Sequence, residues 1–330
     1  GADPGPACYG KGDLPTVTDA HVVLGRMVPE FFLGGRMTIH PDRSHRALGR
    51  LARKIGKSLS EAASGVIDIA NINMEKAIRV ISVERGFDPR EFTLVSFGGA
   101  GGMHAAEIAA HMRIPRVVIP KNAGVLSAFG LLMADAIKDY SCSLLKTADS
   151  LSEETLTARL EELAEMGLED MKKEGFSQED ILVFPSLDVR YLGQSYEITL
   201  PLRSVRVRMP TAIAAFHRAH ENLYGYRHPG RPVEIVTIRI KAVGRTQKIQ
   251  LRKHPLRKSR AESARMKTQP IAWRGQTLKG AVYRRDALEP GDRIKGPALV
   301  VDDESTTFLP PRNTLEVDAL ENLVIQVIPE

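Results

Sequence analysis

Cysteine is almost missing: Cys8 and Cys142 are the only two among 330 residues. Two thiols cannot build a disulfide framework, so the sequence reads as a protein with reduced cysteines, which predicts a cytoplasmic location. Long hydrophobic runs are missing too. Nothing approaches the ~18 uncharged apolar residues of a membrane-spanning helix, and no membrane partner is expected. After Gly1 there is no charged stretch leading into an apolar one, so no signal peptide is predicted. Aromatic residues are scarce at 5%.

Two familiar phosphate loops are also lacking. Gly56-Lys57-Ser58 matches the tail of a Walker loop, but Leu51 stands where its first glycine belongs. The dinucleotide fingerprint fails because His104 occupies the place of its third glycine.

What is present is ordinary globular material, 43% hydrophobic and 26% charged. Length predicts about two domains. The net charge of +6 is concentrated between positions 252 and 267. There Arg252, Lys253, Arg257, Lys258, Arg260, Arg265 and Lys267 face a single acid, Glu262, an excess equal to that of the whole chain. Nucleic-acid binding needs stacking residues among such cations. This segment has none, so it reads as a solvated loop and no nucleic-acid partner is expected.

Residues 1–57 read as irregular, with Pro4, Pro6, Pro15, Pro29 and Pro41 spaced along them. Within them Thr16 to Leu24 forms a short apolar-rich element carrying Asp19 and His21. A helix is predicted over 58–81, where Ser58 and Glu61 make a capping box and apolar residues recur at helical spacing. Positions 92–97 read as a buried strand, followed by glycines and a helix over 103–112. A second buried strand over 116–119 and a helix over 125–136 complete the pattern of a parallel α/β layer. Further on, a helix is expected over 151–173, strands over 181–191 and 195–200, a helix over 211–224 and a strand over 233–243. Short β pieces run from 269 to 330. Changes of texture place boundaries near 145 and 255, giving segments 1–145, 146–255 and 256–330.

The strongest chemical signal is Phe97-Gly98-Gly99-Ala100-Gly101-Gly102-Met103-His104. Glycines between a strand and a helix let backbone approach a ligand, and the amides opening the helix carry partial positive charge. A tight turn without a ligand fits the same residues. His104 in the first helical turn is a candidate general base, and Asp19 a candidate for orienting water or holding a metal. Each also has a structural reading, as a packed histidine and a turn cap. Cys8 is a weaker nucleophile candidate, since a reactive thiolate needs a nearby cation or base. His217 and His220 share a helix face, but no third ligand accompanies them and no metal site is expected.

Several of these runs together resemble one family. Gly1-Ala2-Asp3-Pro4-Gly5-Pro6-Ala7-Cys8-Tyr9-Gly10, Thr16-Val17-Thr18-Asp19-Ala20, the glycine run with His104-Ala105, and Gly124-Val125-Leu126-Ser127-Ala128-Phe129-Gly130 resemble successive signatures of hydantoinase A and 5-oxoprolinase. Arg190-Tyr191-Leu192-Gly193-Gln194, Tyr224-Gly225 and Pro232-Val233-Glu234-Ile235 are similar to that family's C-terminal region. Order and spacing agree to about Thr307. The sequence departs from the pattern at His21, where Asn is expected, and at Gly102, where Pro is common.

The resemblance implies an α/β fold: the second half of an actin- and sugar-kinase-like (ribonuclease H-like) ATPase, followed by a mixed α+β, strand-rich region. Segment 1–145 would be the partial ATPase domain. Gly98, Gly99, Ala100, Gly101, Gly102 and Ser127 would face the adenosine of ATP. The cofactors implied are ATP and Mg²⁺, and the activity is ATP-dependent opening of a cyclic amide; relatives serve ATP-dependent ketone carboxylases. The Asp-x-Gly-Gly-Thr phosphate loop of the family does not occur here. The expected partner is therefore an N-terminal half or another chain carrying that loop, with a second hydantoinase-type subunit beside it. By itself the chain is expected to be inactive. A noncatalytic assembly module is the alternative of a different kind.

Overall fold

The computed structural model describes residues 3–328. Gly1 and Ala2 of the first signature lie outside the described residues. In chain order the elements begin with α1 (Val17–Val23), α2 (Pro41–Ile55), α3 (Leu59–Ile81), β1 (Thr93–Val95), α4 (Gly101–His111), β2 (Arg116–Ile119) and α5 (Leu126–Met133). Next come β3 (Ala136–Thr147), α6 (Glu153–Lys173), β4 (Ile181–Tyr191), β5 (Ile198–Pro201), α7 (Met209–Tyr224) and β6 (Val233–Gly244). Seven short strands close the chain: β7 (Arg265–Trp273), β8 (Gln276–Arg284), β9 (Arg293–Lys295), β10 (Ala298–Val301), β11 (Thr306–Leu309), β12 (Thr314–Val317) and β13 (Leu323–Gln326).

Two compact units emerge, and they cut the chain differently from the boundaries read near 145 and 255. One takes Gly1–Gly130 together with Gln250–Glu330; the other is Leu131–Ile249. The last eighty or so residues belong with the first unit because β13 pairs antiparallel with β2, with Leu323 opposite Ile119 and Ile325 opposite Val117. Strand pairing over such a sequence separation leaves no local trace.

In the first unit, α1 and α3 open with capping boxes, Thr16 with Asp19 and Ser58 with Glu61. Each box satisfies amides that the first helical turn leaves without partners. The segment read as irregular also contains α2. Pro41 starts it, where a missing N–H costs nothing, and Gly56 ends it in the left-handed conformation. Its many arginines hid a narrow apolar face of Ala47, Leu48 and Ala52. Leu48 is buried with Ala20, Leu24, Ala63 and Ile67 of the neighbouring helices. Truncating it to Ala would cost roughly 2–5 kcal/mol.

The expected parallel layer is in fact mixed. One sheet has the order β1-β2-β13-β12-β9, and only its β1–β2 pair is parallel. Val117, Ile119, Leu315 and Ile325 pack with Ala105, Ile108 and Ala109 of α4 in its core. β1 is an edge strand, and Val95 and Phe97 are about half exposed, where the sequence suggested a buried strand. A second sheet, β11-β10-β8-β7, packs Ile271, Val282, Leu299 and Phe308 together.

The other unit is a four-stranded antiparallel sheet, β3-β6-β4-β5, with α6 and α7 packed on it. Leu156 and Leu160 of α6 and Phe216 of α7 are buried with Leu187, Ile235 and Ile238 of the sheet. The helix predicted to reach 136 stops at Met133, and β3 follows it. The alternation in β3 is masked by Lys138, Asp139 and Lys146, which stand among its apolar residues.

Candidate functional site

Residues 98–100 lie in the turn from β1 into α4, and Gly101 and Gly102, expected in that turn, already open the helix. Gly98 has a φ of +89°, a conformation open to glycine and strained for other residues, and a Cβ there would meet nothing within 4 Å. Its N–H donates to the Ala123 carbonyl at 2.7 Å. That bond brings the glycine loop and the 123–127 segment side by side, although they are separate in sequence. Ser127 is exposed in the first turn of α5.

The other glycines have a different reason. A Cβ on Gly99 would stand 2.9 Å from the Glu304 carbonyl oxygen, and one on Gly102 2.6 Å from the Thr307 hydroxyl. A Cβ on Gly101 would meet the Ser96 hydroxyl at 2.7 Å. Gly124 also abuts Glu304. The hairpin joining β10 to β11 thus closes on the loop, and the Thr306 N–H donates to the Gly99 carbonyl at 3.1 Å. Sequence reasoning missed this hairpin. Asp302-Asp303-Glu304-Ser305, polar between two apolar pieces, signals a turn, but nothing local says which loop it covers.

His104 lies behind the loop and is buried. Its Nδ1 is 2.7 Å from Asn71 Oδ1, and its Nε2 is 3.1 Å from His21 Nε2. The Asn71 oxygen only accepts, so Nδ1 of His104 carries the proton and its Nε2 accepts from His21. Burial, with the nearby Arg26 charge adding to it, lowers His104 to about 4. Burial, His104 and Arg26 hold His21 well below the usual histidine range. Both rings are therefore neutral at pH 7. Arg26 pairs with Glu107 at 2.7 Å and lies 4.5 Å from the centre of the Phe308 ring. Burial raises the Glu107 carboxyl against that pairing. His104 thus tethers α4 to α3 and α1 instead of facing the open side of Gly98.

Asp19 is fully buried. Its carboxylate accepts from the Ala7, Cys8 and Thr16 amides and from the Thr16 and Ser44 hydroxyls, all at 2.6–3.0 Å. Burial pushes its pKa up, but the bonds from Ser44, Cys8, Thr16 and Ala7 outweigh that and hold it below the ordinary value. Five donors fill its lone pairs, so the geometry is that of an anchor for the 6–10 loop. Cys8, buried beside it, is pushed up to about 12 by burial and by the Asp19 charge, the opposite of what a nucleophilic thiol needs.

His217 and His220 do not converge. His217 Nδ1 shares a hydrogen bond with the Tyr191 hydroxyl at 2.7 Å, while the buried His220 faces the Tyr226 carbonyl through Nδ1 at 2.8 Å and the Gln194 amide through Nε2. Among the described residues no three His, Cys, Asp or Glu side chains are grouped as a metal ion would require. No helix there is long and apolar enough to cross a membrane. In the basic segment, Arg265 and Lys267 belong to β7, and Arg257, Arg265 and Lys267 are paired with Glu289, Glu262 and Glu30.

The chain matches the family model for hydantoinase/oxoprolinase over residues 1–140 and that for the hydantoinase/oxoprolinase C-terminal domain over 146–323. An uncharacterised protein of Methanocaldococcus jannaschii is 41% identical over 96% of this chain and 45% of its own length. Caprolactamase subunit alpha of Pseudomonas jessenii is 33% identical over 96% and 47%. A nucleotide-free acetone carboxylase structure superposes with a TM-score of 0.90 at 25% identity, over 98% of this chain and 48% of that one. The chain spans about half the length of these relatives. The shared models, the order of the motifs and the relatives agree: this chain belongs to the hydantoinase/oxoprolinase family.

Proposed function

We propose that the chain is the adenosine-side part of an ATP-dependent enzyme that opens a cyclic amide. The observation that carries this reading is the loop at Gly98, left-handed, open on one side, and held against the 123–127 segment that bears Ser127. The backbone there leaves room for a nucleoside, and the first amides of α4 offer partial positive charge. Bound ATP supplies the phosphoryl group that activates the amide oxygen and makes its carbon open to attack by water. The residues of this chain hold and orient. The 302–307 hairpin fixes the shape of the loop, and the His104–Asn71 bond fixes α4 against α3.

Mg²⁺ and the phosphates need ligands from a partner segment, either an N-terminal half or another chain, working in the cytoplasm with a second subunit. The surface supports such a partner. Ile69, Ile72, Val80 and Ile81 of α3, Val95 of β1 and Phe97 just after it are 45–64% exposed, and α5 buries none of its residues. Apolar exposure on this scale marks an interface. A second reading, a subunit of an ATP-dependent ketone carboxylase, is favoured by the close superposition on acetone carboxylase.

The test is phosphate release from ATP with Mg²⁺ and hydantoin or 5-oxoproline. The chain alone should release none above background, and adding a polypeptide with the phosphate loops should start the reaction. Substrate-dependent turnover by the chain alone, in the ~1 to 10³ s⁻¹ range of ordinary enzymes, would overturn the proposal. Release driven by acetone instead of a cyclic amide would select the second reading.

A further inference from the structure

The proposed function leaves the basic segment unused. Residues 250–260 form neither helix nor strand. The chain there is pinned at intervals. The His254 N–H donates to the Ala319 carbonyl at 2.8 Å, the Arg257 N–H to the Pro290 carbonyl at 2.9 Å and the Arg260 N–H to Asp292 Oδ1 at 2.6 Å. From Gln250 to Lys253, no backbone N–H or C=O is hydrogen-bonded among the described residues. Unpaired backbone of this kind is a template for a strand from another chain.

Beside that stretch lies a groove of about 330 Å³. Leu126, Phe129, Leu251 and Leu320 give it apolar walls, and Arg252 stands at it. Leu251 is 62% exposed. The charge is one-sided. Arg252, Lys253 and Lys258 are exposed and make no ion pair among the described residues. Glu321, the acid that lines the groove, is already taken by Lys121 at 2.5 Å, with His254 Nε2 at 3.6 Å.

These features narrow the occupant. A nucleic-acid strand needs aromatic faces among the cations, and the aromatic residue here, Phe129, is half-buried in the groove wall. A bilayer surface needs a broad apolar face, and this is a slot. Exposed Arg252 and Lys253 attract an anion without fixing a small one in place. What fits all of them is a chain that alternates acids with apolar side chains.

We infer that the groove is a docking site for an acidic segment of a partner polypeptide. The segment lies along residues 250–253 and pairs with their free backbone. Its apolar side chains sit among Leu126, Phe129 and Leu251, and its carboxylates meet Arg252 and Lys253. Backbone bonds and apolar contact hold it, while the cations select it and speed its arrival. The inference does not depend on the cyclic-amide reading, and neither falls with the other.

A random peptide library panned against the immobilised chain tests it, with fluorescence anisotropy on the peptides recovered. They should carry Asp or Glu interleaved with Leu, Ile or Phe. Joint Arg252→Glu and Lys253→Glu should weaken them about tenfold or more, the sum of two exposed ion pairs, and high salt should shrink that gap. The same peptides with Lys in place of their acids should bind the reversed variant and not the parent. Leu251→Ser should weaken every recovered peptide. All three side chains are exposed, so the variants should fold, and thermal melts establish it. No recovered peptide, uncharged or basic peptides, or acidic ones indifferent to either substitution would overturn the inference. So would phosphatidylserine vesicles or single-stranded DNA bound more tightly than any recovered peptide and released by the charge reversal. Self-association in sedimentation, abolished by the same reversal, would name a second copy as the occupant and overturn it too.

Discussion

Thr306 donates its backbone N–H to the carbonyl of Gly99 at 3.1 Å, tying the last third of the chain to the loop that opens α4. The glycines of that loop therefore serve two masters. Gly99 and Gly102 make room for protein backbone and a threonine, and Gly98 alone among 98–102 combines a left-handed turn with open space.

This division predicts different outcomes within one motif. Gly102→Val meets Thr306 and Thr307 within about 3 Å and should destabilise the fold by roughly 1–3 kcal/mol, seen as a lower urea midpoint. Gly99→Val meets the Glu304 carbonyl and should behave likewise, so it cannot report nucleotide affinity cleanly. Gly98→Ala has space and pays only for its backbone conformation, of order 1–3 kcal/mol. In the assembled enzyme it should weaken ATP binding beyond its effect on stability. Equal midpoints for Gly102→Val and the parent chain would contradict the first claim.

The His21–His104 pair predicts acid sensitivity. Both rings have folded pKa values below the unfolded one, so the unfolded chain binds more protons as pH falls. Their contribution is fully present above about 6.5 and is lost as pH drops toward 4, the folded value of His104. Urea midpoints taken from pH 7.5 down to 4.5 should fall, and His21→Asn should flatten that fall. A parent chain equally stable at both ends would refute the pairing.

Asp19 predicts a large structural loss. Asp19→Ala leaves the Ala7, Cys8 and Thr16 amides and the Ser44 hydroxyl without their acceptor in a buried place. Each orphaned donor costs about 1–3 kcal/mol, so the loss should exceed about 3 kcal/mol and loosen the 6–10 loop. Hydrogen exchange at the Ala7 and Cys8 amides would register it, and unchanged protection would mean that the carboxylate is not their anchor.

The basic segment should not hold nucleic acid. Its cations have no stacking partners interleaved, and several are already paired with acids. Any binding should be weak and fall steeply with salt. Sub-micromolar affinity for single-stranded or duplex nucleic acid at physiological salt would reverse this.

Local chemistry announced itself in the sequence. The α3 capping box, the strand at β6 and the strand-glycine-helix order around Gly98 all stand as read. What escaped was non-local or masked by charge. α2 carries its apolar residues among arginines, β3 alternates behind lysines, and the pairing of Leu323 with Ile119 writes no pattern into either segment. The site was half legible for the same reason. Gly98 and Ser127 belong to motifs, but the bond from Gly98 to Ala123 and the hairpin at Glu304 exist only in three dimensions. Asp19 and His104 drew notice as reactive groups, and burial made them anchors.

The placement of β13 beside β2 has a consequence for biosynthesis. At roughly 5–20 residues per second, the ribosome finishes β2 on the order of 10 to 40 seconds before β13 emerges. Through that interval the nascent chain presents an unpaired strand and a glycine loop with no hairpin over it. Chaperone engagement should concentrate in that window, and ribosome stalling between positions 120 and 300 should be the event that most readily turns this chain toward aggregation.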